Sequence, residues 1–343
     1  LLFALFVASP ISAQMPTGAP APAGQPEIRE GVDYRVYDRD GNRSSLGAVV
    51  RASLSDDVLL VGEEHDDMIG HAFQTELFQM VLDEIGSPTG SGRDVVLSLE
   101  MFERDVQYIL DEYLAGQISE DHFLRSSRPW DDYESRYRPA VEAAREHDVP
   151  VVAANAPRRY VSRVTSHGPE SLLELPGFSR AFLPPLPYPG PSDVYRAQWD
   201  ALMTAAMLGM EPEPEEEESP GDDRESSSDE GASAGDEAPP ARYEMNPNAI
   251  YSQALWDAAM GHAVSEALVR HIGGFVVHFA GSFHVAEWTG IPERIADYRP
   301  GTRVKTVVMT KVDDIEAWSA EEHGILADYV VLTQKPADTA AGN

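Results

Sequence analysis

Val58-Leu59-Leu60-Val61-Gly62-Glu63-Glu64-His65-Asp66-Asp67 decides how the rest of the chain is read. Its first four residues are apolar and rich in Val, which fits a strand buried on both faces. It then turns at once into a run of ionisable side chains. Apolar runs of the same kind occur at 95–99, 149–154, 275–280, 304–309 and 329–332. Between them, apolar residues recur at every fourth position. Phe73, Leu77, Val81 and Ile85 form one such stripe, and Trp256, Met260, Val264 and Leu268 another. That spacing is the buried face of a helix. Strand alternating with helix predicts an α/β fold of three layers, with a mostly parallel sheet flanked by helices. Two longer stretches, about 104–147 and 158–210, read as helical and form a cap inserted over one end of the sheet. The second is interrupted by the proline-rich run from Leu183 to Pro191.

Ligands of such sheets bind beyond the carboxyl ends of the strands. Four ends carry reactive groups. The first delivers Gly62, Glu63, Glu64 and His65, and the second Glu100 and Arg104. The third delivers Asn155, Arg158 and Arg159, and the fourth Gly281 and His284. Gly62-x-x-His65 and Gly281-x-x-His284 share one spacing. A glycine there lets the backbone turn tightly and brings the histidine back over the strand end. His65, Glu100 and His284 have the chemistry of a divalent-metal shell, with Glu63 or Glu64 as further carboxylates. Without metal, Glu63, His65, Glu100 and His284 form a catalytic set in which a carboxylate orients His65 as general base. Asn155 or Arg158 then stabilises an oxyanion or binds an acidic ligand. His71 is a further candidate for the cleft. His278, inside an apolar strand, reads as a satisfied core residue. The remaining histidines, His262 and His323 among them, read as surface or structural.

Composition narrows the partners. The 343 residues carry a formal charge of −32. Phosphate backbones and anionic membrane surfaces repel such a chain, so nucleic acid is excluded as a partner. No stretch of about 20 apolar residues is present, so no integral span is expected. The absence of cysteine removes disulfides, thiolate metal sites and thiol nucleophiles together.

Residues 1–13 read as the remaining part of a secretory signal peptide, and 14–30 as a flexible linker. A single domain is expected over 31–335, with a tail at 336–343. Within it, 211–240 holds 13 Asp/Glu and one Arg and reads as a disordered acidic insertion.

Three of these stretches together resemble the ChaN-like haem-binding uptake family, grouped with the Tiki, TraB and erythromycin-esterase-like superfamily. They are residues 58–67, 97–107 (LSLEMFERDVQ) and 279–285 (FAGSFHV). Leu114-Ala115-Gly116, Tyr137-Arg138-Pro139, 151–158 and the block from Gln253 to Glu266 add to the likeness. The resemblance implies an exported protein of haem or iron uptake, with haem as ligand and a homodimer as a candidate assembly. It implies a tyrosine as haem ligand, for which Tyr137 is the candidate, ahead of Tyr133 and Tyr160. Arg104 and Arg158 are candidates for the propionates. The wider superfamily implies the alternative of a metal-dependent hydrolase, of esterase or peptidase type, using the paired G-x-x-H motifs and a strand-end glutamate. Described ChaN-type proteins are lipoproteins. With no cysteine to carry a lipid, this chain is expected free in the periplasm or secreted.

Overall fold

Seven strands and eleven α-helices make up the computed structural model, which describes residues 25–86, 92–207 and 246–336. The signal, most of the linker, the acidic insertion and the tail lie outside the described residues. In chain order the elements are β1 (Tyr34–Asp38), α1 (Leu46–Ala52), β2 (Val58–Glu63), α2 (Met68–Val81), β3 (Val95–Glu103), α3 (Gln107–Leu114), α4 (Glu120–Ser127), α5 (Tyr133–Arg136) and α6 (Arg138–Glu146). There follow β4 (Val151–Asn155), α7 (Arg158–His167), α8 (Gly177–Arg180), α9 (Asp193–Met207), α10 (Ala249–Arg270), β5 (Phe275–Gly281), α11 (Ile291–Tyr298), β6 (Val304–Val312) and β7 (Tyr329–Gln334).

The sheet order is β1-β7-β6-β2-β5-β3-β4. Every pairing is parallel except β1 with β7. All six apolar runs form strands, because each is covered on both faces and needs no polar side. β2, β4 and β5 are buried along their whole length. β1 (YRVYD) has no such run because it is a short edge strand with alternating polarity.

Each sheet face has its own apolar cluster. Leu59, Val61, Leu97, Leu99, Val277 and Phe279 pack against α1, α2 and the helices between β3 and β4. Leu60, Val96, Val276, Ala280 and Val308 pack against α10 and α11. A third cluster seats α7 and the segment around Leu183 and Tyr188 on the outer side of α10. The long helices expected over 104–147 and 158–210 are instead chains of short ones. Gly116, at φ +68, Arg128 and Gly168 interrupt them in left-handed or irregular backbone.

α2 shows how local chemistry aims a site residue. Asp67 caps its N-terminus, accepting from the Ile69 amide at 3.0 Å. The Thr333 hydroxyl holds the same carboxylate at 2.7 Å. Phe73, Leu77, Phe78 and Val81 are fully buried, each worth roughly 1.5–3 kcal/mol. The helix is thereby fixed with His71 and Gln74 against the end of β2.

Both sheet edges are covered. Beyond β1 the chain turns back, and Arg43 bridges Tyr37. Along β4, the Gln107 side chain stands in for a strand residue. It donates to the Val151 carbonyl at 2.8 Å and accepts from the Ala153 amide at 2.7 Å.

Candidate functional site

The polar strand ends meet around Gly281. Glu63 lies opposite Gly281 in the β2–β5 register. Glu100, from β3, accepts from the Gly281 amide at 2.7 Å. From this point two clusters diverge, one on each face of the sheet.

On the α2 side the centre is Glu63, which is 3% exposed. One of its oxygens accepts from the Tyr137 hydroxyl at 2.6 Å and lies 2.9 Å from His65 Nδ1. The other accepts from the Gln74 amide and lies 3.7 Å from His71 Nδ1. His71 Nε2 donates to the His65 carbonyl at 2.7 Å, while its Nδ1 faces Gln74 Oε1 at 3.2 Å. Both His71 nitrogens therefore face acceptors. Burial pushes the Glu63 carboxyl up. His71 beside it, with His65 and Tyr137, outweighs burial and holds it at about 2. Tyr137 is pushed the other way, well above the ordinary phenol range, by burial and by Glu63. The His65 ring is half-buried and meets Trp130 edge-on, with centroids 4.9 Å apart.

On the α10 side the centre is His284, which is fully buried. Its Nδ1 donates to Asp257 Oδ1 at 2.7 Å, so Nε2 is the atom turned to Glu100 Oε1, 3.7 Å away. Asp257 Oδ2 accepts from the Tyr195 hydroxyl of α9 at 2.6 Å. Gly290 passes close by at φ +60. A Cβ there would sit 2.6 Å from Asp257 Oδ1, so only glycine leaves room. Trp256 and Phe283 complete the surround.

The expected residues divide accordingly. Glu63, His65 and Tyr137 belong to the first cluster, and Glu100, Gly281 and His284 to the second. His65, Glu100 and His284 do not form one metal shell. His65 is bound to Glu63, and among the described residues no group of three His, Cys, Asp or Glu side chains could hold a metal ion. Glu64 turns to β6, accepting from the Thr310 hydroxyl and the Lys311 amide at 2.9 Å each. Burial raises its carboxyl. Asn155 accepts from the Ala156 amide at 2.8 Å and so shapes its own turn. Arg158 opens α7 and is half-buried. Arg104 reaches α10, pairing with Glu266 at 2.6 Å and donating to His262 at 3.1 Å.

The two motif glycines differ from expectation. Gly62 is not in left-handed backbone. It is required for space, since a Cβ would lie 2.9 Å from Ser282 Cα. The strand end and the second G-x-x-H turn therefore touch backbone to backbone. Gly281 has φ −55, which any residue adopts. His278 also differs from expectation. Its Nδ1 meets Ser98 Oγ at 2.8 Å, but Nε2 is buried with no hydrogen-bond partner among the described residues. Burial, then His284, lowers it to about 3.

Sequence reasoning missed Asp257, Tyr195 and Gln74. Asp257 does carry a signal, as one carboxylate inside the apolar run Ala254–Met260. α9 adds an aromatic wall. Tyr195 and Trp199 meet Phe283 edge-on at 5.2 and 6.0 Å. Beside it lies a cavity of about 240 Å³ between α9 and the start of α10, lined by Arg196, Trp199, Asp200 and Ile250 among others.

Comparison with known proteins agrees with the fold. A match to the family described as haem-binding uptake, Tiki superfamily, ChaN runs over residues 49–295. The chain belongs to the ChaN family. The ChaN-like fold is also seen in a solved structure of ChaN of Campylobacter jejuni, described as binding haem cofacially. It has a TM-score of 0.61 and 18% identity, over 90% of this chain and 100% of that one. The type III effector HopBA1 (TM-score 0.44, 11% identity, 90% of this chain and 100% of that one) is more distant. So is an erythromycin esterase mutant in its open conformation (0.39, 10%, 81% and 77%). No curated protein sequence matches the chain. Among the described residues, no helix is long and apolar enough to cross a membrane.

Proposed function

We propose that this protein is exported and binds haem at the carboxyl edge of its sheet, in the service of haem and iron uptake. The observation that carries this reading is the α9–α10 cleft of a ChaN-family chain. Trp199, backed edge-on by Phe283, offers flat apolar surface to a macrocycle, and Arg196 lies at the cleft to pair with a propionate. Arg158 is the second guanidinium proposed for that role. Arg104 is a weaker choice, because Glu266 and His262 already engage it. A cavity of about 240 Å³ is too small to enclose a whole porphyrin. We infer that a second copy of the chain closes over the uncovered face, giving a homodimer in the loaded state.

Iron ligation divides between two residues. Tyr137 would have to bind iron as a phenolate, yet its phenol is buried, hydrogen-bonded to Glu63 and hard to ionise. His65 is half-buried at the edge, next to Trp130. We therefore favour His65, on the face opposite the α9–α10 cleft, with the macrocycle lying across the strand ends between the two. In a haemin titration, wild type and Tyr137→Phe show a saturable Soret shift and His65→Ala loses it. No shift in wild type would overturn the haem reading, and loss only in Tyr137→Phe would move the ligand to Tyr137.

A second reading is hydrolysis, favoured by two imidazoles each oriented by a carboxylate, His65 by Glu63 and His284 by Asp257. His65 is the general base, and Glu100 polarises from beside Gly281. A divalent metal on His65, Glu100 and His284 would require these side chains to converge. Turnover of an activated ester that disappears in His65→Ala supports this reading, and indifference to that change removes it.

A further inference from the structure

His284, Asp257 and Glu100 form a complete polar arrangement, yet His284 is 0% exposed and Asp257 1%. A ligand or proton donor reaches them only if something moves. The element over them is α9. Of its described side chains, Tyr195 alone is buried. The others are half-buried or exposed, including Val194 at 53%. A helix of 15 residues held by so little apolar burial owes its position to a few specific contacts. Among the described residues they include the Tyr195 hydroxyl on Asp257 at 2.6 Å, the Thr289 hydroxyl on Gln198 at 2.8 Å, Arg196 on the Tyr251 hydroxyl at 3.3 Å and over its ring, and the edge contacts of Tyr195 and Trp199 with Phe283.

All of these but the Arg196–Tyr251 contact end on or beside the residues that fix His284. Asp257 accepts from Tyr195 with one oxygen and from His284 with the other. Phe283 and Thr289 lie within five residues of His284 on either side. Lifting α9 therefore opens the cavity at Trp199 and Arg196 and, in the same movement, takes the Tyr195 hydroxyl away from Asp257. We propose that Tyr195 and Gln198 latch α9 as a lid over the Asp257–His284–Glu100 arrangement, and that a ligand entering between α9 and α10 releases the latch. The ligand class rests on the haem-binding reading of that cleft, whereas the latch itself does not.

The latch is tested without haem, by diethyl pyrocarbonate labelling of histidines in the intact chain, read by mass spectrometry. His65 labels readily, at 22% side-chain exposure. His284 resists in wild type. In Tyr195→Phe, His284 labelling rises roughly tenfold, the change expected when one hydrogen bond to a carboxylate is lost. Gln198→Ala gives a smaller rise in the same direction. His278, fully buried in β5, serves as the internal control for unfolding. Equal His284 labelling in wild type and both variants overturns the latch. So does His278 labelling that rises in step with His284. A latch that opens in protein with no haemin Soret shift would retain this proposal and overturn the haem reading.

Discussion

The two polar clusters at the sheet edge use similar residues in opposite ways. On the α2 side the carboxylate is interior and the imidazole lies toward solvent. Glu63 collects Tyr137, Gln74, His65 and His71 around it. On the α10 side the imidazole is interior, and its carboxylate is shared with a hydroxyl from a lightly held helix. A heavily bonded buried anion is a fixed point, so the first cluster is a rigid socket that presents His65. The second cluster is closed, and its exposure depends on α9. One edge of one sheet thus carries a permanently presented imidazole and a covered one.

The sharpest way to break this contrast is Glu63→Ala. Three groups would lose their acceptor at once and His71 the carboxylate beside it, and stability is expected to fall by about 3–5 kcal/mol in urea unfolding. A loss under about 1 kcal/mol, the scale of a single surface pair, would show that Glu63 is not the fixed point.

Acid separates the two sides next. Glu63 titrates at about 2 in the folded chain, below its ordinary 4.5, so the unfolded chain takes up that proton first. Its contribution is complete above pH 4.5 and is lost as pH falls toward 2. His278, on the α10 side, titrates at about 3 instead of 6.5. Its contribution is complete above pH 6.5 and is lost as pH falls toward 3. His278→Gln should flatten the stability profile from pH 6.5 down to about 3, and Glu63→Gln only between 4.5 and about 2. Flattening above pH 4.5 in Glu63→Gln would mean that the clusters titrate as a single unit.

Gly62→Ala tests the backbone contact that joins the sides. The added methyl meets Ser282 Cα, and overpacking of this kind costs about 1–3 kcal/mol. A displaced 282–285 turn should also raise His284 labelling, which a disturbance confined to the α2 side would not do.

The smallest effects come from the two phenols. Tyr137→Phe and Tyr195→Phe each remove one hydrogen bond, worth about 0.5–1.5 kcal/mol. Glu63 keeps Gln74, His65 and His71, whereas Asp257 keeps His284, so Tyr195→Phe should cost more in matched denaturation curves. The reverse order would make α9 a passive cover.

Much of this is legible in the sequence, for physical reasons. Strands covered on both faces write themselves as apolar runs, which is why β2 to β7 can be read and the edge strand β1, interrupted by Arg35, cannot. Strand ends at one sheet edge fall into one place, so Glu63, His65, Glu100 and His284 can be grouped from their positions along the chain alone. Their division between two faces is not legible. It depends on side-chain parity along each strand and on partners supplied by helices, such as Gln74, Tyr137, Asp257 and Tyr195. Arg104 shows the same limit, because its partners lie 158 and 162 residues away on α10.

The Gln107 amide along β4 has a consequence for assembly. An open strand edge is a template on which any extended peptide can crystallise, one backbone after another, with no natural stopping point. Here that template is occupied by a side chain of the same protein, and the opposite edge is folded over by its own hairpin. Growth strand upon strand is thereby blocked at both edges, and any contact between copies is left to side-chain surfaces, where it is finite.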